Sequence, residues 1–172
     1  MQANHLQRLH ALTDDHVAQL TALLCDCVEG GASVGFMQPL SPAQAQAFWH
    51  KVNRGLVAQE RALLVATDEA GIVGTVQLVL DQPDNQTHRA DLCKMLVHRR
   101  ARRRGLGETL MTGAEQLARE CDKQLLVLDT ATGSDAQRMY ARLGWTLVGD
   151  IPGYARWPEG GLCGTTIFYK HL

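Results

Sequence analysis

A chain of 172 residues, 45% hydrophobic and 20% charged, is long enough for one domain with a substantial core and too apolar to be disordered. Its net charge of −1 excludes a protein that grips polyanions over its whole surface, so any basic cluster is local and the remainder net acidic. Five cysteines without a C-x-x-C pair argue for reduced thiols rather than a disulfide framework. No apolar run approaches a membrane span, and MQANHLQRLHALTDDH lacks the apolar stretch of a signal peptide; a cytoplasmic protein without membrane partners is expected.

HLQRLHAL (5–12) alternates weakly and predicts a first strand. Thr13 then precedes Asp14 and Asp15, and Val17, Leu20, Leu23, Leu24, Cys27 and Val28 recur at helical spacing until Gly30 and Gly31. Ser41, Pro42 and Gln44 make a capping-box start for a second helix through about Gln59. RALLVATD and GIVGTVQLVL, separated by Asp68–Gly71, predict a hairpin, and HRADLCKMLVH (88–98) a third strand after it. A glycine turn opens a helix from about Gly105 to Cys121. KQLLVLDT (123–130) is an apolar run of the kind buried on both faces of a sheet. Ser134 and Gln137 cap a helix that ends at Gly144. WTLVGD and GTTIFYKHL are expected as closing strands, joined by a Gly/Pro-rich loop over Ile151–Gly161. With no repeat or linker, one domain over 1–172 is expected: β-α-α-β-β-β-α-β-α-β-β, an α/β fold with a mixed sheet rather than a doubly wound one.

The segment HRRARRRGLGETLMTGAEQLA (98–118) concentrates the chain's chemistry. Arg102-Arg103-Arg104-Gly105-Leu106-Gly107 follows a strand and opens a helix, which aims unpaired backbone N–H groups and the helix dipole at one point. Glycines at 105 and 107 would let a phosphate approach the backbone. A P-loop would need G-x-x-x-x-G-K-[ST], and the cluster contains no lysine. A dinucleotide fold would need G-x-G-x-x-G in a repeating βαβ chain. A nucleic-acid patch would interleave aromatics, yet none lies between Trp49 and Tyr140. A solvated basic helix start is the plain alternative, and a non-catalytic polyanion-binding module using the 99–104 arginines the functional one.

R-x-x-G-x-G directly after an apolar strand resembles the pyrophosphate motif of the GNAT superfamily of acetyl-coenzyme A-dependent acetyltransferases. The element order resembles that family over the whole chain, and SDAQRMYARLGW (134–145) is similar to its later helix. Gly133 departs from the asparagine that many members carry there, which weakens a side-chain contact to the pantetheine at this position. GGASVGFM (30–37), LDTATGS (128–134), GDIPGY (149–154) and TTIFYK (165–170) resemble, more narrowly, an antibiotic-inactivating branch of the family. The resemblance implies a central, mostly antiparallel sheet of about seven strands flanked by four helices. It implies acetyl-CoA as cosubstrate, a small polar acceptor such as an amino acid or antimetabolite, and a monomer or homodimer. Neither a metal nor nucleic acid is expected, and the seven histidines lack H-x-x-x-H spacing.

The resemblance implies a role for each of a set of residues. Met95, Leu96 and Val97, then Arg102, Arg103, Arg104, Gly105, Leu106, Gly107 and Glu108, and later Ser134 and Ala136, would hold the cosubstrate. Backbone N–H groups near Leu96 and Val97 would meet the thioester carbonyl. Tyr140 would donate a proton to the departing sulfur; a tyrosine merely packed in the core is the alternative. Acidic residues at the positions of Asp91 and Asp129 would activate the acceptor, with a glutamate in that branch where this chain has Asp91, whose shorter side chain would need a bridging water. Either could instead bind a substrate ammonium group. Gly30–Met37 and Ile151–Gly161 are loops of the kind that shape clefts, so Ser33, Val34, Phe36, Met37 and Tyr154 are the expected acceptor contacts, with Trp157 a second aromatic wall. Arg99 and Arg100 are expected as rim charges, attractive to the adenosine 3′-phosphate or simply solvated.

Overall fold

The computed structural model describes residues 5–172. A seven-stranded sheet runs through it in the order β1-β2-β3-β4-β5-β7-β6. Its strands are β1 His5–Leu9, β2 Arg61–Asp68, β3 Gly71–Val79, β4 Arg89–Val97, β5 Leu125–Ala131, β6 Thr146–Arg156 and β7 Leu162–His171. The helices are α1 Asp14–Glu29, α2 Pro42–Val57, α3 Leu106–Glu120 and α4 Asp135–Arg142. The element order is the one the sequence predicts.

Local chemistry explains the helices. Thr13 Oγ1 accepts from the His16 N–H at 3.2 Å while His16 Nδ1 accepts from the Thr13 N–H, and Ser41 and Gln44 close the same reciprocal cap on α2. The apolar positions read off α1 (Val17, Leu20, Leu23, Leu24, Cys27 and Val28) are all buried. They meet Trp49 and Leu56 of α2 and Leu63, Val65 and Leu96 of the sheet, so α1 and α2 cover one face. On the other face α3 packs Leu106, Leu110, Met111 and Ala114 against Val76, Leu92 and Leu126, with Tyr140 of α4 in the same core.

Two departures from a regular sheet build the site. β4 and β5, the one parallel pair, are in register only from Arg89↔Leu125 to Asp91↔Val127, whereas β5 stays paired with β7 along its whole length. Beyond Asp91 the two strands splay and leave β4's edge without a ladder. β4 also carries a bulge: the register with β3 shifts between Thr75↔Leu96 and Gln77↔Cys93, and Lys94 stands at φ 51°.

The closing hairpin corrects one expectation. Ile151–Arg156 is not loop but the second half of β6, with Ala155 and Arg156 paired to Cys163 and Leu162; only 157–161 turns the chain. Pro152 and Gly153 sit in a register shift between Ile151 and Ala155. β6 is the sheet edge, where a missing N–H and a bulge are tolerated, so residues that look like loop extend a strand instead. The first strand is likewise shorter than expected and ends at Leu9.

Candidate active site

The corner after β4 is anchored before it can bind anything. Arg99 donates from its backbone N–H and its Nε to Asp26, each at 2.8 Å, and from Nη2 to Glu29 at 2.7 Å, which ties the corner to α1. Arg100 pairs with Asp68 at the β2–β3 turn. Burial works to raise the Asp26 pKa, but the hydrogen bonds from Arg99 and the nearby charges of His98 and Arg99 outweigh it and hold the carboxyl below its usual range. Arg99 and Arg100, expected as rim charges, are held in ion pairs with α1 and the β2–β3 turn rather than simply solvated. Arg102, Arg103 and Arg104 are exposed and make no ion pair among the described residues. Arg102 Nε donates to the Val97 carbonyl at 3.0 Å and braces the end of β4.

Two left-handed residues, Arg103 at φ 60° and Gly105 at φ 78°, then swing the chain into α3. The N–H groups of residues 103–108 find no acceptor among the described residues, and the first helical bond at this end is Thr109 N–H to the Gly105 carbonyl. A run of free amides at a helix N-terminus, flanked by guanidiniums without a counter-ion among the described residues, is a cradle for a highly charged anion. A Cβ on Gly105 would meet nothing within 4 Å, so the space over it is open. A Cβ on Gly107 would lie 3.0 Å from Met139 Sδ, so that glycine serves the packing of α3 on α4. Leu106 is buried, leaving its backbone alone toward the cradle, and Glu108 is exposed in the first turn. These residues fit the diphosphate of acetyl-CoA.

Met95, Leu96 and Val97 run along the splayed edge of β4 toward this cradle. Ser134 caps α4, its Oγ accepting from the Gln137 N–H at 3.1 Å, so its hydroxyl is committed locally; Ala136 packs on the core. Tyr140 is buried, its ring 6.0 Å from that of Phe168 and 6.1 Å from that of Trp145. Its hydroxyl makes no hydrogen bond among the described residues. Burial, and then the charge of Asp129, raise its pKa, so the phenol stays protonated at neutral pH. A buried network fixes α4 beneath the sheet: Glu115 accepts from Lys170 at 2.8 and 2.9 Å and from Trp145 at 3.2 Å, and Lys170 also reaches the Leu143 carbonyl.

On β5, Leu126 and Leu128 face α3, so strand alternation sends Asp129 to the other face. Asp129 Oδ2 accepts from Thr165 Oγ1 at 2.9 Å, a hydroxyl that also holds the Thr130 carbonyl. Asp91 shares that face, two register positions back on β4, which puts the two Cα atoms roughly 8 Å apart. Arg89 and Gln82 both donate to Asp91, so of the two carboxylates it is the more fully occupied. It stands roughly 20 Å along β4 from Val97.

The expected acceptor residues lie on two segments that touch. Gln38 N–H donates to the Pro158 carbonyl at 2.8 Å, and Ser33 Oγ lies 3.4 Å from the Arg156 carbonyl and 3.7 Å from Cys163 Sγ. The α1–α2 loop thus leans on the β6–β7 turn. Val34 and Phe36 are half-buried against the α1–α2 core, while Met37 and Tyr154 are exposed. Lys94 and Thr165 had no signal in the sequence: the first depends on a bulge within an ordinary strand pattern, the second on cross-strand register. Hollows of about 260 Å³ beside Arg8 and Arg61 and about 540 Å³ beside Cys25 and Gln38 lie away from Tyr140 and the cradle. Among the described residues no group of three or more His, Cys, Asp or Glu side chains could hold a metal ion, and no helix is long and apolar enough to cross a membrane.

Comparison with known proteins agrees with this geometry. The profile of the Acetyltransferase (GNAT) family matches residues 18–145. An uncharacterized N-acetyltransferase from the hisH-hisA intergenic region of Azospirillum brasilense is 30% identical over 126 residues, covering 72% of this chain and 73% of that one. The ribosomal-protein-alanine N-acetyltransferase of Brucella melitensis superposes with a TM-score of 0.78 at 21% identity over 98% of this chain and 99% of the other. Salmonella typhimurium yncA, solved with its cofactor acetyl-CoA, gives a TM-score of 0.78 at 17% identity, covering 99% and 94% of the two chains. The unpaired amides after β4, the splayed strands and these matches lead to one conclusion: the chain belongs to the GNAT family of acetyltransferases.

Proposed function

We propose that this acetyltransferase moves the acetyl group of acetyl-CoA directly to the amine of a small polar acceptor bound on the Asp129 face of the splay. The single observation that carries the reading is the run of free N–H groups at residues 103–108 leading to a splay flanked by Tyr140 and Asp129. Acetyl-CoA, when bound, supplies the acyl group as an activated thioester. The cradle holds its diphosphate through backbone N–H groups, with Arg102, Arg103 and Arg104 adding charge. The edge of β4 at Met95–Val97 offers backbone groups to the pantetheine arm and, near Leu96, an N–H to the thioester oxygen.

Asp129, with one oxygen held by Thr165, takes the proton of the attacking nitrogen as the C–N bond forms. Tyr140 gives its phenolic proton, which an ordinary phenol also retains at neutral pH, to the sulfur as the C–S bond breaks. Asp91, occupied by Arg89 and Gln82, lies on the acceptor side of the same face and orients the acceptor. Direct transfer is favoured over an acetylated cysteine because burial pushes the Cys93 thiol up, and the Cys27 thiol up to about 11, so neither is the thiolate a nucleophile requires.

The acceptor is read from the α1–α2 loop and the β6–β7 turn, and the likeness of four segments to the tabtoxin resistance protein supports an amino acid or a tabtoxinine-like antimetabolite. The test is thermal shift with acetyl-CoA against an oligonucleotide, followed by thiol release over a panel of small amines. Stabilisation by acetyl-CoA and amine-dependent thiol release are expected. Stabilisation by the oligonucleotide alone would contradict the reading.

A further inference from the structure

The bulge on β4 leaves one cation that acetyl transfer itself does not use. Lys94 is held at φ 51°, a left-handed conformation that costs a non-glycine residue about 1 kcal/mol or more and survives only where its surroundings impose it. Its Nζ lies 5.8 Å from the Phe48 ring centroid and 3.6 Å from where a Cβ on Gly35 would sit, so the ammonium points under the α1–α2 loop. The residue is half-buried, and its ammonium has the Phe48 ring as a cation–π partner but makes no hydrogen bond and no ion pair among the described residues. Half-buried cations elsewhere on the sheet are satisfied: Arg89 by Asp91, Lys123 by the Leu80 and Thr87 carbonyls, Lys170 by Glu115. A ring face balances only part of an ammonium's lost hydration, and an ammonium without a counter-ion at a ligand cleft is matched by an anionic ligand.

Asp129 stands across the same opening. Were the parallel ladder to continue past Asp91↔Val127, Lys94 would face Thr130, one position beyond Asp129. The strands separate instead, and a cation and a carboxylate are left on the two sides of the gap. Thr165 occupies one oxygen of Asp129, and no hydrogen bond among the described residues reaches the other.

Resting on the acetyl-transfer reading above, we propose that Lys94 binds the carboxylate of the acceptor, which makes the acceptor a zwitterionic amino acid or amino-acid-like molecule whose amine is presented to Asp129. Lys94 exchanges no proton in the step. The bound ammonium first releases one proton to solvent; the C–N bond then forms and the C–S bond breaks, with a second nitrogen proton passing to Asp129 and the Tyr140 proton to sulfur, and solvent exchange returns a proton from Asp129 to Tyr140. The lysine selects the substrate by charge.

The experiment compares the twenty common L-amino acids with their carboxamides, and with spermidine, as acceptors for the full chain and acetyl-CoA, reading kcat and KM from thiol release. Every amino acid that is acetylated is expected to exceed its carboxamide by about 30-fold in kcat/KM, the size of a charge-assisted hydrogen bond. Lys94→Met is expected to collapse that ratio to about threefold or less through KM, and Lys94→Arg to keep most of it. Equal use of acid and amide by the unmodified protein, or an equal loss on both in Lys94→Met, overturns the role of Lys94. Transfer to spermidine but to no amino acid overturns the zwitterionic acceptor and leaves acetyl transfer standing. Transfer to none of these, with acetyl-CoA still raising the melting temperature, overturns the amine acceptor as well.

Discussion

Asp129 and Tyr140 approach the gap between β4 and β5 from opposite faces of the sheet. The carboxylate stands on the face beneath the α1–α2 loop, the phenol is buried on the α3 side, and the charge of the first adds to burial in raising the pKa of the second. In the proposed mechanism the two serve as base and acid on either side of one opening, as a reaction needs when it takes a proton from nitrogen and gives one to sulfur.

Tyr140→Phe keeps the ring packing against Trp145 and Phe168 and removes only the proton. It is expected to lower kcat by about 100-fold. The KM for acetyl-CoA should change by no more than about twofold, because in the proposed mechanism the phenol acts on the sulfur as the bond breaks. Initial rates of thiol release check both values.

Asp129→Asn removes the charge that helps to raise Tyr140, so the phenol pKa falls toward its ordinary value, which ultraviolet titration of the variant reads directly. The linkage has a definite sign. A group whose folded pKa is raised favours folding in full below its unfolded pKa and loses that contribution as pH rises through the folded value. Chemical denaturation should therefore reveal stability declining above about pH 10, with Tyr140→Phe removing part of the decline.

Gly105→Val and Gly107→Val should fail in different ways. Over Gly105 there is only open space, so a side chain costs backbone strain of about 1–2 kcal/mol at φ 78° and blocks the anion; acetyl-CoA binding is lost from a protein that still folds. At Gly107 the new atoms meet Met139, and the melting temperature falls whether or not ligand is present. Calorimetric binding beside thermal melts separates the two.

Much of this was legible in the sequence, and the parts that were not share a cause. Capping residues Thr13 and Ser41, the α1 stripe from Val17 to Val28 and the element order depend on neighbours within a few positions, and local spacing reveals them. The turn Arg102–Gly107 was readable because its glycines and the strand before it are adjacent in the chain. Arg99 and Arg100 were not, because Asp26 and Asp68, which neutralise them, are remote in sequence. Lys94 lay hidden because a bulge has no residue signature, and Pro152 misled because a proline on an edge strand resembles a loop.

The Arg99 anchor carries its own pH dependence. Asp26 is held below its ordinary pKa, so its pairing favours folding above the unfolded carboxyl value and is lost as pH falls through the lower folded value. Asp26→Asn is expected to destabilise the protein at neutral pH and to flatten the fall in stability below about pH 4. Denaturation midpoints from neutral to acid pH check it.

Direct transfer is tested most directly by an initial-rate matrix in acetyl-CoA and an amine acceptor, with mass spectrometry of both protein and acceptor. Intersecting lines, an acetylated acceptor and no acetylated protein are the predicted result. Parallel lines with an acetyl group on a cysteine, or thiol release that is indifferent to the amine, would contradict the account.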